Sequence, residues 1–292
     1  MNADEMSKEA DYRYAVQSAD ANEFDKAISI MSDLEKLGYK DAGDKVLEIQ
    51  YRKGVYLLME KANFAEANEI FTQLAKKKYN GAEDMQKETQ YLWAGALIED
   101  EDYVGAYKKL TGIKNYSDVK DVLEALEEVI YVEGQNLYYS EKFSDAEIRF
   151  DCIASYRDSK KYITLIDARG YSAKWLDPEG TAEKLAQIFY FEDAAELLLS
   201  DTDIACYFLL GTWRTSNGRY YFKIEKTDKS EHSFYNSYNL PWYGGSFLIT
   251  DGVYSVSNDS YDDKPQFRFT LLTPNSMEVY CYKNGTTYTL YR

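Results

Sequence analysis

The sequence is short of the residues from which most enzymes and metal sites are built. There is one histidine, His232, and there are three cysteines, Cys152, Cys206 and Cys281, in 292 residues. A zinc site with histidine ligands, or a Cys–His dyad, has almost nothing to draw on. The cysteines are odd in number, far apart and without a CxxC, which excludes a small disulfide framework and predicts three free thiols. No apolar run is long enough to cross a bilayer. The opening stretch MNADEMSKEADYR lacks the hydrophobic segment of a secretory signal. The default expectation is therefore the cytoplasm, with an extracytoplasmic location the alternative if an N-terminal anchor has been trimmed.

Positive charge is scarce as well. The net charge is −16, and it is unevenly spread: from Ile204 to Arg292 there are 9 basic and 8 acidic residues, before that 25 basic and 42 acidic. A chain so acidic in its first part repels phosphate backbones, so no nucleic-acid partner is expected. The surplus reads as the solvated surface of a helical array.

Local clusters do not supply the missing chemistry. Glu124, Glu127 and Glu128 share a helix face, as solvated carboxylates do. The stretch NDSYDD at 258–263 lacks the D-x-D-x-D-G spacing and the downstream glutamate of a calcium loop. Gly244-Gly245 follows no phosphate-loop pattern, and His232 has no serine or cysteine close by in sequence. No catalytic residue, metal or cofactor is expected, and the chain reads as a non-enzyme.

What the sequence has in plenty is repetition. At 292 residues it is long enough for two domains, and the first repeats itself about every 40 residues. Phe24, Phe64, Tyr103 and Phe143 each stand three residues before an alanine: Ala27, Ala67, Ala106 and Ala146. Seven after each aromatic come Met31, Phe71, Leu110 and Phe150; ten after come Leu34, Leu74, Ile113 and Ile153. These offsets place the four side chains on one helical stripe, here called helix B. Upstream, Ala15, Val55 (with Gly54 beside it), Ala94 and Gly134, then Ser18, Leu58, Leu97 and Leu137, mark a preceding helix A. Small residues let the two helices approach closely, and such a pair buries its stripe only by stacking on the next pair. After helix B come Tyr39-Lys-Asp41, Tyr116-Ser-Asp118 and Tyr156-Arg-Asp158, with Tyr79-Asn-Gly81 in the second unit. The tyrosine is expected to plug the gap between pairs, and the aspartate to cap the next helix. A fifth unit is expected at Phe191, with Ala182, Leu185, Ala194 and Leu198 around it.

On these residues, 9–200 resembles the tetratricopeptide repeat, and its Y-x-D spacing is similar to bacterial repeat proteins that often carry an N-terminal membrane anchor. The resemblance implies an α-helical solenoid of about five helical hairpins whose A helices form a surface for a protein or peptide partner. No lysine–asparagine pattern for gripping a terminal carboxylate recurs on the A helices.

After Ser200 the period changes to alternation. Phe222 and Ile224, Phe267 and Phe269, and Val279, Cys281, Tyr288 and Leu290 each fall on one face. Asp251-Gly252 marks a hairpin that pairs Ile249 with Tyr254 and Phe247 with Val256, and Asn284-Gly285 marks another, setting Met277 opposite Arg292. About eight short strands in 204–292 predict a small closed antiparallel barrel or a tight sandwich, and the barrel is the reading adopted. Gly211-Thr-Trp213 in an opening strand that includes Leu209, together with Arg292 on the last strand, resembles the lipocalin-like (calycin) arrangement. That resemblance implies a guanidinium stacked on the indole across one barrel end. The functional expectation is a protein–protein interaction or scaffold protein with an accessory barrel. The alternative is a small-molecule or glycan-binding barrel with the helices as a stalk.

Overall fold

The computed structural model describes residues 3–174, 177–226, 234–238, 246–250, 252–257 and 265–292. His232, Gly244-Gly245, Asp251 and 258–263 lie outside these. Among the described residues, twelve α-helices precede an antiparallel half-barrel sheet. The chain divides into two compact units, Met1–Val132 and Glu133–Arg292.

In the first unit α1 (Ala3–Asp20), α2 (Phe24–Lys36), α3 (Ala42–Lys61), α4 (Phe64–Lys76), α5 (Ala82–Glu99) and α6 (Tyr103–Leu110) each pack on the next. The even-numbered helices begin at the repeating aromatics. Asn63 and Asp102 explain two of these starts, accepting from the N–H groups of Glu66 and Gly105 at 3.3 and 2.9 Å and so satisfying donors that a helix start leaves open. Ala27, Ala67 and Ala106 are fully buried, as are the large residues four positions on. The facing helix is cut to fit. A Cβ added to Gly54 would meet the Phe71 ring at 2.8 Å. Where the large residue is aliphatic, Met31 or Leu110, the facing helix carries a buried alanine, Ala15 or Ala94. The helix α7 (Val119–Tyr139) contains the division between the units.

The second unit continues with α8 (Phe143–Cys152), α9 (Ser159–Lys174), α10 (Pro178–Gln187), α11 (Ala194–Leu197) and α12 (Thr202–Leu209). Ala146 is fully buried, and a Cβ on Gly134 would lie 2.9 Å from the Phe150 ring, repeating the fit of Gly54 to Phe71. The fifth repeat is not where the sequence pattern put it. Phe191 starts no helix; it lies in the turn before α11. The N–H groups of Ala42, Ala82, Val119, Ser159 and Ala194 donate to the carbonyls of Tyr39, Tyr79, Tyr116, Tyr156 and Phe191, all at 3.1–3.2 Å. Phe191-Glu192-Asp193 is thus the fifth connection, and Ala194 matches Ala42 and Ala82 rather than Ala146. The fifth B helix is α10, started by Asp177, which accepts from Gly180 N–H at 2.8 Å, with Pro178 where the other units have an aromatic.

Of the aspartates expected to cap, Asp41 does not do so. Asp41 and Asp193 occupy N-cap positions but make no side-chain cap bond. Their ψ values of 27° and 19° are far from the extended backbone that swings a capping carboxylate onto the first N–H groups. They accept from tyrosines of an earlier helix instead.

The sheet contains β1 (Gly211–Arg214), β2 (Tyr221–Lys226), β3 (Phe234–Tyr238), β4 (Ser246–Thr250), β5 (Val253–Ser257), β6 (Pro265–Thr273), β7 (Ser276–Cys281) and β8 (Thr286–Tyr291), in the order β3-β2-β1-β8-β7-β6-β5-β4. First and last strands do meet, at Arg214 and Tyr291, but they form the middle of the sheet. The edges are β3 and β4, unpaired with each other among the described residues, so the expected closed barrel is half-closed. Ile249 pairs with Tyr254 and Phe247 with Val256, as the alternation predicts.

Two local readings need correction. Leu209 is helical, because Asp201 accepts from the N–H groups of Asp203 and Ile204 and starts α12 where a strand was expected. In the last hairpin Met277 pairs with Leu290, not Arg292. The loop holds four residues, 282–285, with Gly285 at φ 67°, rather than two. A slip of two residues keeps every side chain on its face, so Met277, Val279, Cys281 and Leu290 are buried together.

Candidate functional site

The helices of the first unit carry two clefts. One, of about 480 Å³, is lined by Leu58 and Met59 of α3, Tyr91, Gly95 and Ile98 of α5, and Val122 of α7. The other, of about 430 Å³, is lined by Phe24, Tyr51, Val55 and Tyr56, and again by Met59. Met59, which is 57 % exposed, is common to both. The lining is dominated by helix-A residues, and it is mostly apolar. Gly95 lies open in it: an added Cβ would meet nothing within 4 Å. Glu60 and Glu99 stand exposed at the margins, and Glu99 begins the acidic run Glu99-Asp-Glu-Asp102. Arg52 also lines the second cleft and pairs with Asp20 at 2.9 Å; over residues 1–132 as a whole there are 27 acidic and 17 basic side chains.

The cleft walls are held by a recurring clasp. Tyr91 donates to Asp118 at 2.8 Å, and Tyr116 donates to Glu88, with the two rings edge to face at 5.9 Å. Tyr12 likewise donates to Asp41 at 2.7 Å and Tyr39 to Glu9 at 2.8 Å, the rings 6.2 Å apart. Tyr51 and Tyr79 lie 5.4 Å apart, and the Tyr51 hydroxyl points at Gly81, which replaces the aspartate. Tyr162 and Phe191, 5.0 Å apart, pair at the fifth connection, with the Tyr162 hydroxyl donating to Glu192 at 3.1 Å. The sequence carries the signal as Glu-x-x-Tyr at Glu9/Tyr12, Glu48/Tyr51, Glu88/Tyr91 and Glu128/Tyr131, which the alignment on B-helix aromatics passes over.

The clasp perturbs its own protons. Hydrogen bonds from Lys40, Tyr39 and Arg13 hold the Glu9 carboxyl down at about 2. Burial, then the bond to Asp41, pushes Tyr12 up to about 12; the bond to Glu88, then burial, does the same to Tyr116. These shifts have local structural causes, and none creates a proton donor or acceptor tuned near neutrality.

The covered face of the half-barrel is filled from within. Trp213, Phe222, Ile224, Ile249, Phe267 and Phe269 are 0–3 % exposed, as are Ile204, Ala205, Cys206 and Leu209 of α12, which packs against β2 and β4. Trp213 donates its indole N–H to Leu209 O at 3.0 Å. The Arg292 guanidinium lies 4.8 Å from the Trp213 ring centre and 5.4 Å from that of Phe208, and donates to Phe208 O at 2.9 Å. Burial lowers the proton affinity of Arg292. Among the described residues, this face of the sheet is packed by α12.

Elsewhere Glu127 accepts from Tyr107 at 2.9 Å, and Glu124 lies 3.9 Å from Lys120. Among the described residues no group of three or more histidine, cysteine, aspartate or glutamate side chains is placed to hold a metal, and no helix is long and apolar enough to cross a membrane. No protein-family model, curated protein or solved structure matches this chain.

Proposed function

We propose that this chain is a non-enzymatic interaction protein, a tetratricopeptide-like array of helix pairs that holds a segment of a protein partner against α3 and α5. The observation that carries this reading is the pair of adjoining apolar clefts sharing Met59, with Gly95 left open in the larger one. A glycine inside a helix costs about 1 kcal/mol against alanine, and no neighbour of Gly95 requires one. Space for an incoming side chain accounts for it. A methionine at the junction adapts to varied apolar shapes, and the acidic surplus of residues 1–132 favours a partner whose apolar anchors are followed by lysine or arginine. The five recurring A–B units and their shared connections support the tetratricopeptide-like reading. The half-barrel, lipocalin-like in its Trp213–Arg292 pair, is read as an accessory module.

Selection of random twelve-residue peptides displayed on phage against the full chain tests this. The expected binders carry bulky apolar anchors with basic neighbours, and they lose affinity at least tenfold for Gly95→Trp, which puts an indole into the cleft where a Cβ at that position meets nothing within 4 Å. Selected peptides that bind the Gly95→Trp protein equally well would place the partner surface elsewhere.

A further inference from the structure

Strand β6 outruns one of its neighbours. On one flank β5 ends at Val253, opposite Arg268; on the other, β7 pairs on through Thr270↔Glu278 and Leu271↔Met277. Phe269 N–H donates to Gly252 O at 2.7 Å, so the peptide groups of Phe269 face the β5 side. Gln266 O accepts from Tyr282 N–H at 3.0 Å, so the groups of 266, 268 and 270 face β7. Antiparallel alternation then turns the N–H and C=O of Leu271 to the side where β5 has already ended.

A cleft of about 570 Å³ occupies that space. Ala195, Glu196 and Leu199 wall it opposite β6, and Gly252 and Phe269 line it between. The Leu199 carbonyl is tied to Gly252 N–H at 2.9 Å, which fixes the wall to the end of the ladder. Glu196 and Arg268, both exposed, set opposite charges at its margins, and Arg268 is steadied by a 3.2 Å bond from its Nε to the Tyr282 hydroxyl.

We infer that this cleft is a strand-addition site, taking a short extended peptide that continues the ladder where β5 leaves it. The backbone of the peptide pairs with the N–H and C=O of Leu271, as extended ligands do at open sheet edges. One basic side chain of the peptide meets Glu196 and one acidic side chain meets Arg268, so the occupant is an extended segment carrying both signs. This site is separate from the clefts of the first unit and does not depend on the function proposed for them.

Amide hydrogen exchange on the full chain, resolved by residue, tests the inference. Without peptide, the Leu271 amide should exchange at least tenfold faster than that of Thr270, because only the latter N–H is turned toward β7. The probe is acetyl-Lys-Val-Thr-Val-Glu-amide; at millimolar concentration it should slow Leu271 exchange, and its copy N-methylated at threonine should not. Leu271→Pro removes an N–H that the β7 ladder does not use, so it should keep the far-ultraviolet spectrum and lose the peptide. If that variant unfolds, Ala195→Trp, which blocks the cleft from the helical side, should also abolish binding. A Leu271 amide as protected as Thr270 in the free protein would mean that the edge is already covered, and would overturn the proposal. So would equal binding of the N-methylated peptide.

Discussion

Glycine has opposite meanings at three positions in these helices. Gly54 and Gly134 are needed because Phe71 and Phe150 lie where a Cβ would be, at 2.8 and 2.9 Å. The Phe150 ring cannot swing aside, since it stacks on Tyr162 at 4.6 Å. Gly95 faces open space. Alanine gains about 1 kcal/mol over glycine in a helix, and overpacking costs about 1–3. Gly95→Ala should therefore stabilise by up to about 1 kcal/mol in urea unfolding, while Gly134→Ala should destabilise by about 0–2 as the two effects compete. In a Phe150→Leu background, which copies the Ala94–Leu110 pairing, Gly134→Ala should become neutral or stabilising. The same loss in both backgrounds would show that the glycine answers to something other than the ring. The small-residue rule was legible in the sequence as Ala15, Ala94 and Gly134. The choice between alanine and glycine was not, because it depends on which large residue comes across from the next helix.

At the scale of elements, α12 decides what the half-barrel is. Its sequence, TDIACYFL, alternates well enough to pass for a strand, and only the Asp201 cap betrays a helix start. Hairpin pairing by alternation survived a two-residue error in the last turn, since faces repeat every second residue; the length of that turn was not legible. Arg292 reaches the C-terminal end of α12, donating to Phe208 O at 2.9 Å and Leu210 O at 3.4 Å, and to Pro274 O at 3.3 Å across the gap to the sheet. A cation at a helix C-terminus meets the negative end of its dipole and its open carbonyls. With the indole contact, Arg292→Ala should cost about 1–3 kcal/mol, and Arg292→Lys, which loses the planar fork, should recover less than half of that. Full recovery by lysine would leave charge alone as the cause and remove the stacking from the account.

For the molecule as a whole, the repeat was legible because each unit solves the same packing problem with the same four side chains. The fifth escaped because Pro178 stands for the aromatic and Phe191 offers a false one. The thiols give a whole-molecule readout of how the second unit opens. None of Cys152, Cys206 and Cys281 is in a disulfide; Cys152 is half-buried at the end of α8, the other two buried on α12 and on the covered face of the sheet. Burial raises the Cys206 thiol well above its ordinary range, so neither thiolate nor access is offered in the folded state. Native protein should therefore label with a maleimide at Cys152 alone, and reductant should leave the melting temperature unchanged. Cys206 and Cys281 should then label together as urea or heat opens the unit, because α12 and the sheet bury one another. Coincident labelling would mean that helix and sheet form one cooperative body. Labelling of Cys206 well before Cys281 would show α12 leaving the sheet by itself and uncovering that face for a ligand.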